Sequence, residues 1–125
     1  MMVEFAVNGT LMRGLELNYN LLERGGVFVA EACTAPLYRL WSIEDRHPAM
    51  VRFNEGGCAI DLELWSVPLA KLGEILQSEP AGLTIGKIQL FDDREVLGVL
   101  GELFLCEGQR EITRFGGWRE YLLSL

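Results

Sequence analysis

The chain has 125 residues, half of them hydrophobic and 23% charged, which is the size and balance of one globular domain and not of a disordered segment. Lys and Arg number 11 against 18 Asp and Glu, a net charge of −7; counterion release from a phosphate backbone cannot drive binding, and no basic run offsets the deficit, so nucleic acid is excluded as a partner. Cys33, Cys58 and Cys106 are odd in number and widely spaced, which fits neither a disulfide framework nor a zinc site, and no apolar run approaches the ~20 residues of a membrane span.

Val3, Phe5 and Val7 alternate with Glu4 and Ala6 and predict a strand that ends at Asn8-Gly9. Leu15–Arg24 predicts a short helix, stopped by Gly25-Gly26. Val27–Cys33 and Tyr38–Ile43 predict strands on either side of the break at Thr34-Ala35-Pro36. Glu44–Pro48 is charged and turn-like, Met50–Phe53 a short strand, and Asn54–Gly57 a turn. In Ala59–Trp65 the residues Ile60, Leu62 and Leu64 alternate with Asp61 and Glu63, the pattern of a half-buried strand. Pro68 then opens a helix through Gln77, with Leu69, Leu72, Ile75 and Leu76 as its apolar stripe.

Leu83–Leu90 predicts a strand, Asp92-Asp93 a hairpin turn, and the apolar run Val96–Cys106 a strand covered on both faces, with Gly98 and Gly101 marking bulges. Arg114–Leu125 predicts a Gly-Gly turn and a short terminal helix. There is no linker and no repeat, so residues 1–125 are expected to form a single α+β domain. Its Gly-punctuated strands suggest a small closed or half-closed barrel flanked by two or three short helices.

No familiar catalytic motif occurs. Asn8, Gly9, Thr10, Leu11 and Met12 follow a strand and can offer successive backbone N–H groups to an anion, or form an ordinary glycine turn. Arg39, beside Tyr38 in an apolar strand, must be paired: it either clamps a ligand carboxylate or meets Glu63 or Asp61 across strands. Glu55 is either a loop base or a solvated turn residue. The only His, His47, lies in a polar run and reads as a solvated loop residue, so nothing supports a metal or another cofactor. Phe115-Gly116-Gly117-Trp118 reads first as core packing and second as a ligand wall. The cysteines read as small core hydrophobes of a reducing compartment, and the cytoplasm is the expected location.

Several stretches together resemble a known family. Val7-Asn8-Gly9-Thr10-Leu11-Met12-Arg13-Gly14, Leu17-Asn18-Tyr19-Asn20-Leu21, Thr34-Ala35-Pro36-Leu37-Tyr38-Arg39-Leu40, Gly57–Trp65 and Ile112–Trp118 occur in the order seen in the C-terminal domain of allophanate hydrolase. The resemblance implies the gamma-glutamyl cyclotransferase-like fold, with a strand-to-helix loop, Asn8–Met12 here, that binds a carboxyl group through backbone amides. It also implies a link to urea and allophanate breakdown.

On that resemblance the chain is a freestanding domain that holds a small carboxylate or carbamate. Asn8–Met12 would take the carboxylate, with Tyr19, Tyr38 and Arg39 lining or charging the pocket, and the reaction would be decarboxylation of N-carboxycarbamate. A second reading is a non-catalytic assembly or partner module, as a homodimer or beside a separate amidase subunit. A third, a cyclotransferase-type enzyme, needs an acid/base carboxylate. Pro80–Gly86 offers none after Glu79, which leaves Glu55 or Glu63. The family's imidazole positions are occupied by Thr10 and Tyr19.

Overall fold

The alternation read in Val3–Val7 forms the middle strand of a sheet in the computed structural model, which describes residues 1–125. The elements in chain order are β1 (Met2–Val7), α1 (Tyr19–Leu22), β2 (Val27–Cys33), β3 (Tyr38–Ile43), β4 (His47–Arg52), β5 (Asp61–Pro68), α2 (Leu72–Ser78), β6 (Leu83–Gln89), β7 (Glu95–Gly101), β8 (Arg110–Glu111) and α3 (Trp118–Leu123). One sheet of five strands has the order β2-β5-β1-β7-β6, and one of three strands the order β4-β3-β8. β1 is antiparallel to β5, with Phe5 opposite Trp65, and parallel to β7, with Ala6 opposite Gly98.

The fold is α+β with three short helices, as the sequence suggests, and the five-stranded sheet forms the half-closed rather than the closed barrel. A single bridge from Thr34 to Leu90 joins the ends of its edge strands β2 and β6, with Ala35 N–H donating to Gln89 O and Phe91 N–H to Cys33 O. The small sheet packs against the large one where β4 meets β7: a Cβ on Gly101 would stand 2.7 Å from that of Ala49. Phe5, Trp65, Met50, Ile75, Ile88 and Trp118 are fully or almost fully buried in the core between these layers.

Three expectations change. The helix predicted over Leu15–Arg24 shrinks to one turn. The preceding residues form successive turns, with Leu15 N–H donating to Met12 O and Gly14 in left-handed backbone at φ 75°. The apolar run Val96–Cys106 is not one strand. β7 ends at Gly101, Glu102 N–H donates to Gly82 O, and Leu103–Cys106 coil into a 3-10 turn. β5 is not half-buried. Its Glu63 and Trp65 side is as covered as its Leu62 and Leu64 side, because the Arg13 segment and α3 lie over it.

Among the cysteines only Cys106 is buried. Cys33 is half-buried and Cys58 exposed, so the core-hydrophobe reading holds for one of the three. No helix is long and apolar enough to cross a membrane.

Candidate functional site

β1 ends where Asn8 leaves the sheet, and the next residues turn back under the control of two buried amides. Asn8 Nδ2 donates to Val99 O at 3.0 Å, and Asn18 Nδ2 donates to Leu11 O at 2.7 Å. Met12 N–H closes a turn onto Gly9 O at 3.0 Å. The backbone N–H groups of Asn8, Gly9, Thr10 and Leu11, by contrast, donate to no protein acceptor. Buried amides without acceptors are rare and call for an external partner.

These residues wall a small hollow closed on its other sides by His47, Pro48 and Glu79, with Leu83 and Val99 at its base. Its free volume is about 10 Å³, room for one water molecule. Burial pushes the Glu79 carboxyl from 4.5 up to about 7, so near neutrality the hollow contains a carboxyl group that can hold or release a proton. A wider groove of about 540 Å³ adjoins the hollow, sharing Thr10 and His47 with it and bordered by Glu16, Asp45 and Arg46.

The roof of the hollow comes from the β3–β4 hairpin. A Cβ on Gly9 would lie 2.6 Å from Pro48 Cδ and 2.8 Å from Pro48 Cγ, so the proline ring rests on the bare Cα. Gly9→Ala is therefore expected to cost about 1–3 kcal/mol by overpacking. A thermal melt reads this as a lowered Tm; an unchanged Tm would mean that the hairpin does not press on the loop.

The sequence-selected residues divide sharply. Asn8, Gly9, Thr10 and Leu11 meet at the hollow, while Met12 turns to the other side of the loop, where it borders a second cavity. Tyr19 is half exposed on α1. Tyr38 is fully buried, and its hydroxyl accepts the Gln89 N–H at 2.9 Å. Arg39 meets neither Glu63 nor Asp61: its Nε and Nη2 donate to the Glu111 carboxylate at 2.8 and 2.6 Å, and its plane stacks over Phe53. Tyr19, Tyr38 and Arg39 therefore do not line the hollow. Glu55 is exposed in the turn after β4.

Glu63 is 2% exposed and fully engaged. Its carboxylate accepts the Arg13 backbone N–H at 2.9 Å, Arg13 Nε at 3.1 Å, Trp65 Nε1 at 3.1 Å and Arg119 Nη2 at 3.1 Å. Burial alone would raise its pKa; these hydrogen bonds outweigh burial and hold it below the usual value. It borders the second cavity, of about 200 Å³, with Glu31, Asp61, Arg119 and Glu120. There burial, with a hydrogen bond from and the charge of Glu120, raises the Asp61 carboxyl to about 6. Phe115 and Trp118 pack in the core, as their first reading has it.

Two residues of the hollow were missed. His47 is not a solvated loop residue: it opens β4 opposite Ile43 and is only 9% exposed. Glu79 sits between the end of α2 and β6, where no periodicity points.

The sequence profile of the allophanate hydrolase C-terminal domain matches residues 3–123. The chain belongs to that family. Urea amidolyase of Lachancea kluyveri is 28% identical over 96% of the chain, which spans 7% of that relative's length. Among solved structures, a uropathogenic E. coli-specific protein is 59% identical with a TM-score of 0.97, covering 100% of this chain and 98% of the other. Kluyveromyces lactis allophanate hydrolase is 29% identical with a TM-score of 0.93, covering 99% of this chain and 21% of that enzyme. The gamma-glutamyl cyclotransferase-like architecture is shared with an aig2-like protein from mouse, at 20% identity and a TM-score of 0.62.

Proposed function

We propose that the Asn8–Leu11 loop of this allophanate hydrolase C-terminal-like domain binds the carboxylate of a small carbamate-type acid. In the same reading Glu79 supplies the proton as carbon dioxide leaves, and the substrate is N-carboxycarbamate. The observation that carries the reading is the conjunction, around one hollow, of four loop residues whose amides have no protein acceptor with a carboxyl group that burial raises to about 7. The family and the allophanate hydrolase and urea amidolyase relatives support the substrate class.

The step needs little machinery. The bond between nitrogen and the departing carboxyl carbon breaks, and its electron pair stays on nitrogen. Nitrogen takes the Glu79 proton, carbon dioxide and carbamate leave, and the Glu79 carboxylate recovers a proton from solvent. Amides fixed on the remaining carboxylate stabilise charge without reorganising, and exclusion of water strengthens each contact. The hollow has room for one water, so the ligand carboxylate sits at its mouth against the loop and the rest of the ligand lies in the adjoining groove of about 540 Å³. The reaction would proceed in the cytoplasm, beside a separate amidase that supplies the substrate.

The test generates N-carboxycarbamate from allophanate with a separate amidase and follows carbon dioxide release. The expected result is faster release when the chain is added. No acceleration over the spontaneous rate contradicts the reading.

Glu79 also favours a second reading. The sequence argued against a cyclotransferase because no carboxylate follows Glu79, yet Glu79 itself reaches the loop. Release of 5-oxoproline from gamma-glutamyl amines would support that reading, and its absence would remove it.

A further inference from the structure

His47 is held at the mouth of the hollow by two independent devices. Pro48 seats its ring on Gly9, as described above. The turn before it places two non-glycine residues in left-handed backbone, Glu44 at φ 53° and Asp45 at φ 58°. Asp45 is locked there: Oδ1 accepts Ser42 Oγ–H at 2.7 Å and Tyr121 Oη–H at 2.5 Å, and its own N–H donates to Ser42 Oγ at 3.1 Å. Strained backbone persists only where its surroundings over-determine it, and such positions concentrate at ligand sites.

The ring itself has one committed nitrogen. Nδ1 lies 3.1 Å from Pro48 O, and a carbonyl only accepts, so Nδ1 carries the proton of that contact. Nε2 has no hydrogen-bond partner in the protein, and it is not among the buried polar atoms that water cannot reach. In the neutral ring it is an acceptor. His47 borders both the hollow and the adjoining groove, so a ligand whose carboxylate occupied the loop would pass its next atoms beside the imidazole.

We propose that His47 Nε2 accepts an N–H of the ligand, so that the site selects acids bearing N–H close to the carboxylate over acids of the same shape and charge without it. The proposal rests on the reading that the loop binds a carboxylate and adds the feature that distinguishes a carbamate-type acid from any other small acid. A site that must satisfy a polar group discriminates against an isostere lacking the partner.

Oxamate and pyruvate test it, since they differ by an amino group in place of a methyl group. Isothermal titration of the intact chain is expected to show oxamate about tenfold tighter than pyruvate, one satisfied hydrogen bond. In His47→Leu that preference should fall to about one, with pyruvate affinity little changed. Equal affinities in the unsubstituted chain overturn the role of His47 and leave the carboxylate reading standing. A preference that survives His47→Leu also overturns it and assigns the N–H to Glu79. If neither acid binds at millimolar concentration, both readings fall. Should His47→Leu not fold, the Nε2 nitrogen resonance of the unsubstituted chain decides: it must move with oxamate and stay with pyruvate.

Discussion

Glu79→Gln should stabilise the protein at pH 8–9 while abolishing any proton transfer at the hollow. Burial raises this carboxyl from 4.5 to about 7, so the folded state binds a proton more tightly than the unfolded chain. Below the lower value both states are protonated and the group costs nothing. As pH rises through this window the unfolded chain ionises first, the folded state falls behind, and stability is lost up to the folded value and stays lost above it. The whole shift corresponds to about 3 kcal/mol, and partial exposure of the side chain reduces this to about 1–2 kcal/mol.

A glutamine cannot ionise, so the difference in Tm between variant and unsubstituted chain should be several degrees at pH 9 and near zero at pH 4. Asp61, also raised, is common to both chains and cancels. Activity should move the other way, since a positioned acid contributes about 10²–10⁴-fold. A variant that melts at the same temperature across that range, or that retains full turnover, would mean that Glu79 is a solvated bystander.

Glu63→Leu is expected to produce the largest loss of stability of any single substitution near the loop. The carboxylate is buried and joins the Arg13 segment, Trp65 of β5 and Arg119 of α3. Removing it strands the Trp65 indole N–H and the Arg13 backbone N–H without acceptors. Arg13 and Arg119, each about two-fifths exposed, can turn to water. The cost is therefore about 2–4 kcal/mol, below that of a wholly buried pair. In a domain of this size a differential melt should show a Tm lower by about 6–16 °C.

Acid should act in the same direction. With its folded pKa depressed, the Glu63 contribution is complete above the unfolded value of 4.5 and disappears as pH falls through the folded value. A small Tm change in Glu63→Leu would show that desolvation of the buried carboxylate cancels what its hydrogen bonds contribute.

β1 was readable in the sequence by its alternation, β2 by its β-branched and aromatic residues, and β3 by the break at Thr34-Ala35-Pro36 that precedes it. The Asn8–Leu11 loop was readable too, since a strand ending in Asn-Gly-Thr offers amides by its local geometry. Residues brought in by distant register were not. His47 lies in a run of charges that reads as solvated; its burial depends on pairing with Ile43 and on Pro48 meeting Gly9 from another part of the chain. Glu79 follows a helix and has no period to mark it.

Arg39 finds Glu111 on β8, a strand of only two residues and too short to leave a pattern. The alternation in β5 was read correctly as a strand and wrongly as half-exposed, because what covers Glu63 are Arg13 and Arg119, residues whose charge ordinarily signals solvent.

The loop amides decide the account. An amide-resolved nuclear magnetic resonance titration with oxamate reports on each backbone N–H separately. Proton and nitrogen resonances of Gly9, Thr10 and Leu11 should shift together and saturably, ahead of those at the second cavity around Asp61 and Glu120. Shifts centred on that second cavity, or none in the loop at saturating acid, would contradict it.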